Sequence, residues 1–147
     1  MPRIEIRLPN PPKPAGSYIP AVRVGNILYI SGQIPFVDGE IKYKGKLGKD
    51  VTVEEGYQAA RACGLNALSA LKNEIGDLHR VRRIVKLSGY VNGTEGFIDQ
   101  PKVVDGASDL MSEVFGDVGR HARIALGANS LPLGSAVEID LIAEISE

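Results

Sequence analysis

The chain has 147 residues, and its 17 lysines and arginines against 18 aspartates and glutamates give a formal net charge of −1. This length fits one domain, which we expect to span residues 1–147. The balanced charge, with no basic run, argues against a nucleic-acid partner. A lone cysteine, Cys63, favours a reducing compartment, and no apolar run suggests a signal peptide or a membrane span. The composition therefore predicts a cytoplasmic protein with no membrane partner.

The first fifty residues predict short extended segments separated by turns. Residues 3–8 alternate in polarity like a short edge strand, and the proline-rich stretch 10–16 predicts a loop. Two strands are expected within 21–34, joined by a turn at Gly25-Asn26. Residues 35–50, rich in Gly, Lys and Asp, predict an exposed loop or hairpin tip.

Two amphipathic helices with a strand between them are expected next. Thr52 and Glu55 have the spacing of a capping box at the start of a helix, and Gly76 suits its C-terminal cap. A second helix is expected from residues 99–101 to Phe115. The intervening strand, 82–91, is predicted to place Val85, Leu87 and Val91 on one face and Ile84, Lys86, Ser88 and Tyr90 on the other.

The last thirty residues predict two more strands, which we interpret as a hairpin. Ile124 and Leu126 alternate with Arg123, and Val137, Ile139 and Leu141 alternate with Glu138. Paired as a hairpin, these strands would place Arg123 and Glu138 on one face, opposite the apolar side chains.

The element order predicts an α+β fold with a mixed β-sheet and two helices on one face. The other face would carry apolar side chains at Ile27, Tyr29, Ile84, Tyr90 and Ile142. Such a face is typically covered, so we expect copies of the chain to pack through it and to form a ligand site between them. Coverage by the N-terminal arm is the alternative.

Arg123 and Glu138 are the strongest candidates for chemistry. The planar guanidinium of Arg123 suits bidentate capture of a ligand carboxylate, and Glu138 could accept a proton from a water beside that ligand. The alternative is a structural ion pair between Arg123 and Glu138 or Asp140. His121 shares the parity of Arg123, but a lone histidine is more often an ordinary surface residue.

A second set of residues could line a pocket. Tyr18 could donate its hydroxyl to a ligand, and Ser31 precedes Gly32, where a partner could approach the backbone closely. No His or Asp is placed to activate Ser31 as a nucleophile, so hydrogen bonding is its expected role. Metal-ligand spacings and nucleotide-binding glycine motifs are absent from the sequence.

Three segments together resemble the RidA/YjgF family, older descriptions of which use the terms L-PSP endoribonuclease and translation inhibitor. They are the stretch Tyr18–Val22, the block Gly25–Pro35 containing Ser-Gly-Gln-Ile-Pro, and the spacing that puts Arg123 eight residues before Leu131 and Glu138 seven after it. The similarity covers residues 16–145. It implies a chorismate-mutase-like fold, a homotrimer with three clefts between subunits, and cofactor-free hydrolysis of 2-imino acids to 2-keto acids and ammonia.

The resemblance also implies roles for individual residues. Arg123 would hold the carboxylate of an imine or keto-acid ligand, Glu138 would hold the attacking water, and Tyr18, Ser31 and the backbone at Gly32 would line the pocket. Two positions depart from the family pattern. Ala125 stands where many members have Cys, and Asp105 replaces an Asn near the pocket, where an added carboxylate would disfavour anionic ligands.

Three other functions stay open at this point. One is a non-catalytic module that binds a small carboxylate or regulates a partner. A second is an endoribonuclease, against which the balanced charge and the lack of an acid–base histidine pair argue. The third, chorismate mutase activity, rests on fold analogy alone.

Overall fold

The computed structural model describes residues 6–11, 13–14 and 16–147 and shows a mixed sheet with two helices packed on one face. The elements, in chain order, are β1 (Ala21–Val24), β2 (Ile27–Gln33), β3 (Phe36–Val37), β4 (Glu40–Ile41), α1 (Val53–Ile75), β5 (Val81–Asn92), α2 (Gln100–Phe115), β6 (Ala122–Ala128) and β7 (Val137–Ile145). Five strands form the main sheet in the order β1-β2-β7-β5-β6, and β3 and β4 form a separate hairpin. The predicted α+β architecture is confirmed.

Local sequence signals fix the ends of α1. The Thr52 hydroxyl accepts a hydrogen bond from the Glu55 amide at 3.1 Å, and the Glu55 carboxylate accepts one from the Thr52 amide at 3.0 Å. These two bonds satisfy backbone donors that the first helical turn leaves open. At the other end Gly76 adopts a φ of 87°, which an L side chain would strain. The predicted capping box and C-terminal glycine are both confirmed.

Glycines allow α1, α2 and the main sheet to approach one another closely. A Cβ at Gly106 of α2 would overlap the backbone carbonyl oxygen of Tyr57 on α1. A Cβ at Gly89 of β5 would likewise lie within 2.6 Å of Val104 Cγ1 on α2. The two helices therefore pack backbone against backbone at Gly106, and the Val104 side chain of α2 packs directly on the backbone of β5 at Gly89, around a core of buried aliphatic side chains.

The predicted hairpin of β6 and β7 is wrong, because β5 lies between these strands. Leu87 of β5 pairs with Arg123 of β6 in parallel register and with Leu141 of β7 in antiparallel register. The chain leaves β5, runs through α2 and returns as β6, which is a crossover between parallel neighbours. Strand β6 is consequently an edge of the sheet.

The face assigned to the apolar residues of β6 is also wrong. Ile124 and Leu126 are 44% and 37% exposed and lie on the face away from the helices, since they pair with Ser88 and Tyr90. Arg123 has the opposite parity and faces the helices. In β5, a register irregularity between Ile84 and Lys86 moves Ile84 into the core. A bulge of this kind inserts one residue and reverses the alternation.

The face of the sheet opposite the helices, here called the open face, carries exposed apolar side chains near both edges of the sheet. They include Val22 and Val24 on β1, Tyr29 on β2, and Ile124 and Leu126 on β6. Of the predicted edge strand, residues 3–5 lie outside the described residues, and residues 6–8 form no regular secondary structure. The adjacent Pro9 accepts a hydrogen bond from Ser69 of α1, so this part of the arm lies on the helix side. No helix within the described ranges is long and apolar enough to cross a membrane.

Candidate functional site

A groove of about 260 Å³ lies beside Glu138, where β2, β7 and the segment before β1 meet. It is lined by Lys13, Pro14, Tyr18, Pro20, Gly32, Gln33, Ile34, Phe36, Pro132, Leu133 and Glu138. Three of the residues singled out from the sequence, Tyr18, Gly32 and Glu138, therefore come together here. Most of the other lining side chains are apolar, which is typical of a small-molecule site with a few polar groups.

Gly32 makes the space that the carboxylate of Glu138 occupies. It lies in the irregularity of β2, where the pairing with β7 shifts between Ile30 and Gln33. A Cβ at this position would overlap Oε2 of Glu138 and lie 3.1 Å from its Cδ. The absence of a side chain at residue 32 is therefore a condition for the observed position of the carboxylate.

The surroundings of Glu138 make it a better proton acceptor than an ordinary surface glutamate. Partial burial raises the pKa of its carboxyl group, and the nearby Asp140 carboxylate raises it further. Its cross-strand neighbour on β5 is Tyr90. Glu138 has no ion-pair partner within the described part of the chain. A carboxylate with a raised pKa takes a proton from water more readily near neutral pH.

The rim of the groove contains a residue in an unusual conformation. Leu133 has φ 56° and ψ 21°, in the left-handed region that costs an L residue roughly 1–2 kcal/mol. Its side chain is 65% exposed and lines the groove beside Pro132. The turn between β6 and β7 thus holds an apolar side chain in solvent next to the candidate site. Leu131-Pro132 was recognised from the sequence only as part of a motif, and Leu133 was not predicted to line the site.

Ser31 and Tyr18 have different surroundings. The Ser31 hydroxyl donates to the carbonyl oxygen of Ile19 at 2.6 Å, and its amide donates to Pro20 at 2.9 Å. These bonds fasten the entry to β1 against β2, so the proton of the Ser31 hydroxyl is already used. Tyr18 is half exposed and lines the groove.

Arg123 lies on the other face of the sheet from Glu138 within one chain. Its Nη1 donates to Oδ1 of Asp105 at 2.7 Å and to Oγ of Ser108 at 3.2 Å, both on α2. The suggested ion pair of Arg123 with Glu138 or Asp140 is therefore wrong, because those carboxylates lie on the open face. The expectation that Arg123 and Glu138 share one face of the sheet is wrong for the same reason.

His121 and Ser108 extend this arrangement. His121 Nε2 lies 2.9 Å from Ser108 Oγ, and its Nδ1 lies 2.6 Å from the carbonyl oxygen of Gly119. His121 is consequently not an isolated surface histidine. Ser108 was not recognised from the sequence, although its spacing of three residues from Asp105 places both on one face of a helix. That spacing is the signal that could have found it.

A metal site is not formed by the residues that the structure describes. Among them, no three His, Cys, Asp or Glu side chains come together as ligands. Cys63 is fully buried on α1, its thiol lies 3.6 Å from the carbonyl oxygen of Val137, and burial raises its pKa well above the usual value. A buried thiol of this kind is unreactive.

Comparison with known proteins places the chain in a family. The family model described as YjgF/chorismate mutase-like, putative endoribonuclease, matches residues 3–145. Protein TCP17 of Trypanosoma cruzi is 46% identical over 145 residues, covering 98% of this chain and 91% of that protein. A RutC family protein of Aquifex aeolicus is 32% identical over 140 residues, covering 95% and 97%.

A solved structure agrees with these sequence relatives. The crystal structure of a putative endoribonuclease from Shewanella oneidensis superposes with a TM-score of 0.92 at 42% identity, covering 95% of this chain and 93% of that one. The resemblance noted in the sequence is thereby confirmed. The chain belongs to the RidA/YjgF family.

Proposed function

We propose that this protein hydrolyses 2-imino or enamino acids to 2-keto acids and ammonia in a cleft between two copies of the chain. The observation that carries the proposal is the placement of its two candidate catalytic residues. Arg123 faces the helices on edge strand β6, whereas Glu138 borders the groove on the open face. One ligand can contact both residues only if they come from different copies.

The exposed apolar side chains of the open face support such an assembly. Tyr29, Ile124 and Leu126 would be partly exposed to water in a lone chain, at a cost that burial against another copy removes. Both edge strands, β1 and β6, carry part of this surface, so a closed ring of copies could use both edges. A homotrimer with three equivalent clefts is the arrangement that the family resemblance implies.

The proposed reaction needs little from the protein beyond positioning and one proton acceptor. Arg123 holds the ligand carboxylate, and a water lies between the ligand and Glu138. Glu138 accepts a proton as the water oxygen bonds to the imine carbon, and that proton passes to the nitrogen. The product of this addition is a carbinolamine. Glu138 then passes the proton of the carbinolamine hydroxyl to the nitrogen, the carbon–nitrogen bond breaks, ammonia leaves, and the carbonyl of the 2-keto acid forms. The imine carbon is already electrophilic, so orientation supplies much of the rate.

A second candidate function is binding of a small carboxylate without turnover. Two departures from the family pattern keep it open: Asp105 pairs with Arg123 at 2.7 Å, and Ala125 stands where many members have Cys. Hydrolysis stays the first proposal because Glu138 has both the raised pKa of a proton acceptor and a groove beside it.

The test is the rate of keto-acid release from an imine that an amino-acid oxidase or a threonine dehydratase generates in the same solution. Wild-type protein should accelerate release, and Arg123→Ala and Glu138→Gln should each remove most of the acceleration. Asp109→Asn is the matched control, because it changes a carboxylate on α2 that accepts from Tyr57, away from Arg123. An unchanged rate for Arg123→Ala would eliminate the clamp. Saturable binding of the keto acid without turnover would favour the second candidate.

A further inference from the structure

Two side chains of α2 hold one edge of the Arg123 guanidinium. Asp105 and Ser108 both accept from Nη1, while Nε and Nη2 donate to no residue in the described ranges. The Arg123 side chain is 24% exposed and that of Asp105 is 48% exposed. The Nε and Nη2 nitrogens therefore form an edge of the guanidinium that a ligand carboxylate can approach in bidentate geometry.

The hydrogen bonds around Ser108 and His121 fix the position of one ring proton. The carbonyl oxygen of Gly119 can only accept, so Nδ1 of His121 carries the proton. In the neutral imidazole Nε2 then accepts from the Ser108 hydroxyl, whose oxygen is left to accept from Arg123. His121 and Ser108 thus hold the guanidinium against Asp105, and the assignment follows from the partners themselves.

Arg123 and Asp105 together carry no net charge, because the Asp105 carboxylate offsets the positive charge of the guanidinium. A ligand carboxylate on the free edge of Arg123 is attracted by the guanidinium and repelled by Asp105 a few ångströms away. For a ligand with one carboxylate, the attraction at short distance to Arg123 is stronger than the repulsion from Asp105. A second ligand carboxylate has no counter-ion of its own at Arg123 and is repelled by Asp105.

We propose that Asp105 is a specificity-determining residue, which makes the site select ligands with one negative charge over ligands with two. This inference rests on the proposed function, since it takes the ligand to bind at Arg123. The substrates would be 2-imino acids with uncharged side chains. Imino acids that carry a second carboxylate, such as those formed from acidic amino acids, would be rejected.

The test uses three stable keto compounds that share a five-carbon chain and carry zero, one or two negative charges. They are 2-oxopentanamide, 2-oxopentanoate and 2-oxoglutarate, and their binding to the full-length protein is measured by calorimetry at low salt. Asp105→Asn should strengthen binding of the monoanion roughly fivefold and of the dianion roughly fifteenfold, and leave the neutral amide unchanged. Asp105→Ser removes the same charge with a smaller side chain and should behave alike.

Asp109→Asn removes the same charge one helical turn away and should leave the ratio of dianion to monoanion affinity unchanged. Equal strengthening of both anions by Asp105→Asn, or the same change of ratio in Asp109→Asn, would overturn the inference. A wild type that binds 2-oxoglutarate as tightly as 2-oxopentanoate, or that binds none of the three, would also overturn it. Absence of imine turnover with the change of ratio intact would refute the proposed function alone.

Discussion

Replacing Gly32 by alanine should remove most of the activity and leave the fold nearly intact. The added Cβ would overlap Oε2 of Glu138 and lie 3.1 Å from its Cδ, so the carboxylate has to move. The φ of Gly32 lies outside the left-handed region, so alanine can adopt the same backbone conformation. The substitution is therefore a probe of where the Glu138 carboxylate lies.

The size of the effect follows from that displacement. Rotating Glu138 away from its preferred rotamer costs about 0.5–1.5 kcal/mol, which sets the expected loss in the free energy of unfolding. The carboxylate must shift by roughly 1 Å, and a misplacement of that size costs on the order of 100-fold in the catalysed rate. Activity should therefore fall far more than stability.

The assay compares keto-acid release and thermal unfolding for Gly32→Ala and for Gly127→Ala. Gly127 is the matched control, because it also has an ordinary φ and its added Cβ meets only the flexible end of Gln100, at 3.3 Å. The control should keep its activity. Full activity in Gly32→Ala, with unfolding unchanged, would refute the argument that this carboxylate position is required.

Three further predictions concern packing, protonation and assembly. Gly106→Ala should lower the free energy of unfolding by about 2 kcal/mol, because its Cβ would overlap the Tyr57 carbonyl; an unchanged urea midpoint would contradict this. Glu138→Gln should raise the melting temperature at pH 7, because it removes a carboxyl group whose pKa is higher in the folded protein than in the unfolded chain. With such a group, the wild type loses stability as the pH rises from about the ordinary 4.5 through the pKa of the folded state. A gain that persists unchanged at pH 3 would argue for another cause. Leu126→Glu should dissociate the assembly in analytical ultracentrifugation, since it places a charge on the open face, and a variant that stays assembled would exclude that face as the interface.

Local sequence signals were sufficient to predict most of the helices and strands. Thr52, Glu55 and Gly76 fix the ends of α1 through bonds between residues three or four positions apart, and Gly25 provides the turn between β1 and β2 with a φ of 59°. Such interactions depend on neighbours in the chain, so the sequence contains the whole signal. The groove residues Tyr18, Gly32 and Glu138 were likewise found from their motifs and line one cavity.

Pairing between distant strands was not predictable in the same way. Alternation in β6 shows that Arg123 and Ile124 face opposite sides, but not which side the helices cover. Its apolar character predicts that Ile124 lies in the core. In the structure Ile124 is exposed, because an edge strand can place apolar side chains on the open face. The insertion of β5 between β6 and β7 follows from the path of α2, a long-range property of the fold.

Mixing two inactive variants tests the central claim, that each site takes Arg123 from one copy and Glu138 from another. Arg123→Ala and Glu138→Gln proteins would be unfolded together, refolded as mixed assemblies and assayed for keto-acid release. Random mixing in a ring gives about a quarter of the sites both native residues, so about a quarter of wild-type activity should return. Activity that stays at the level of the separate variants would contradict a site shared between copies.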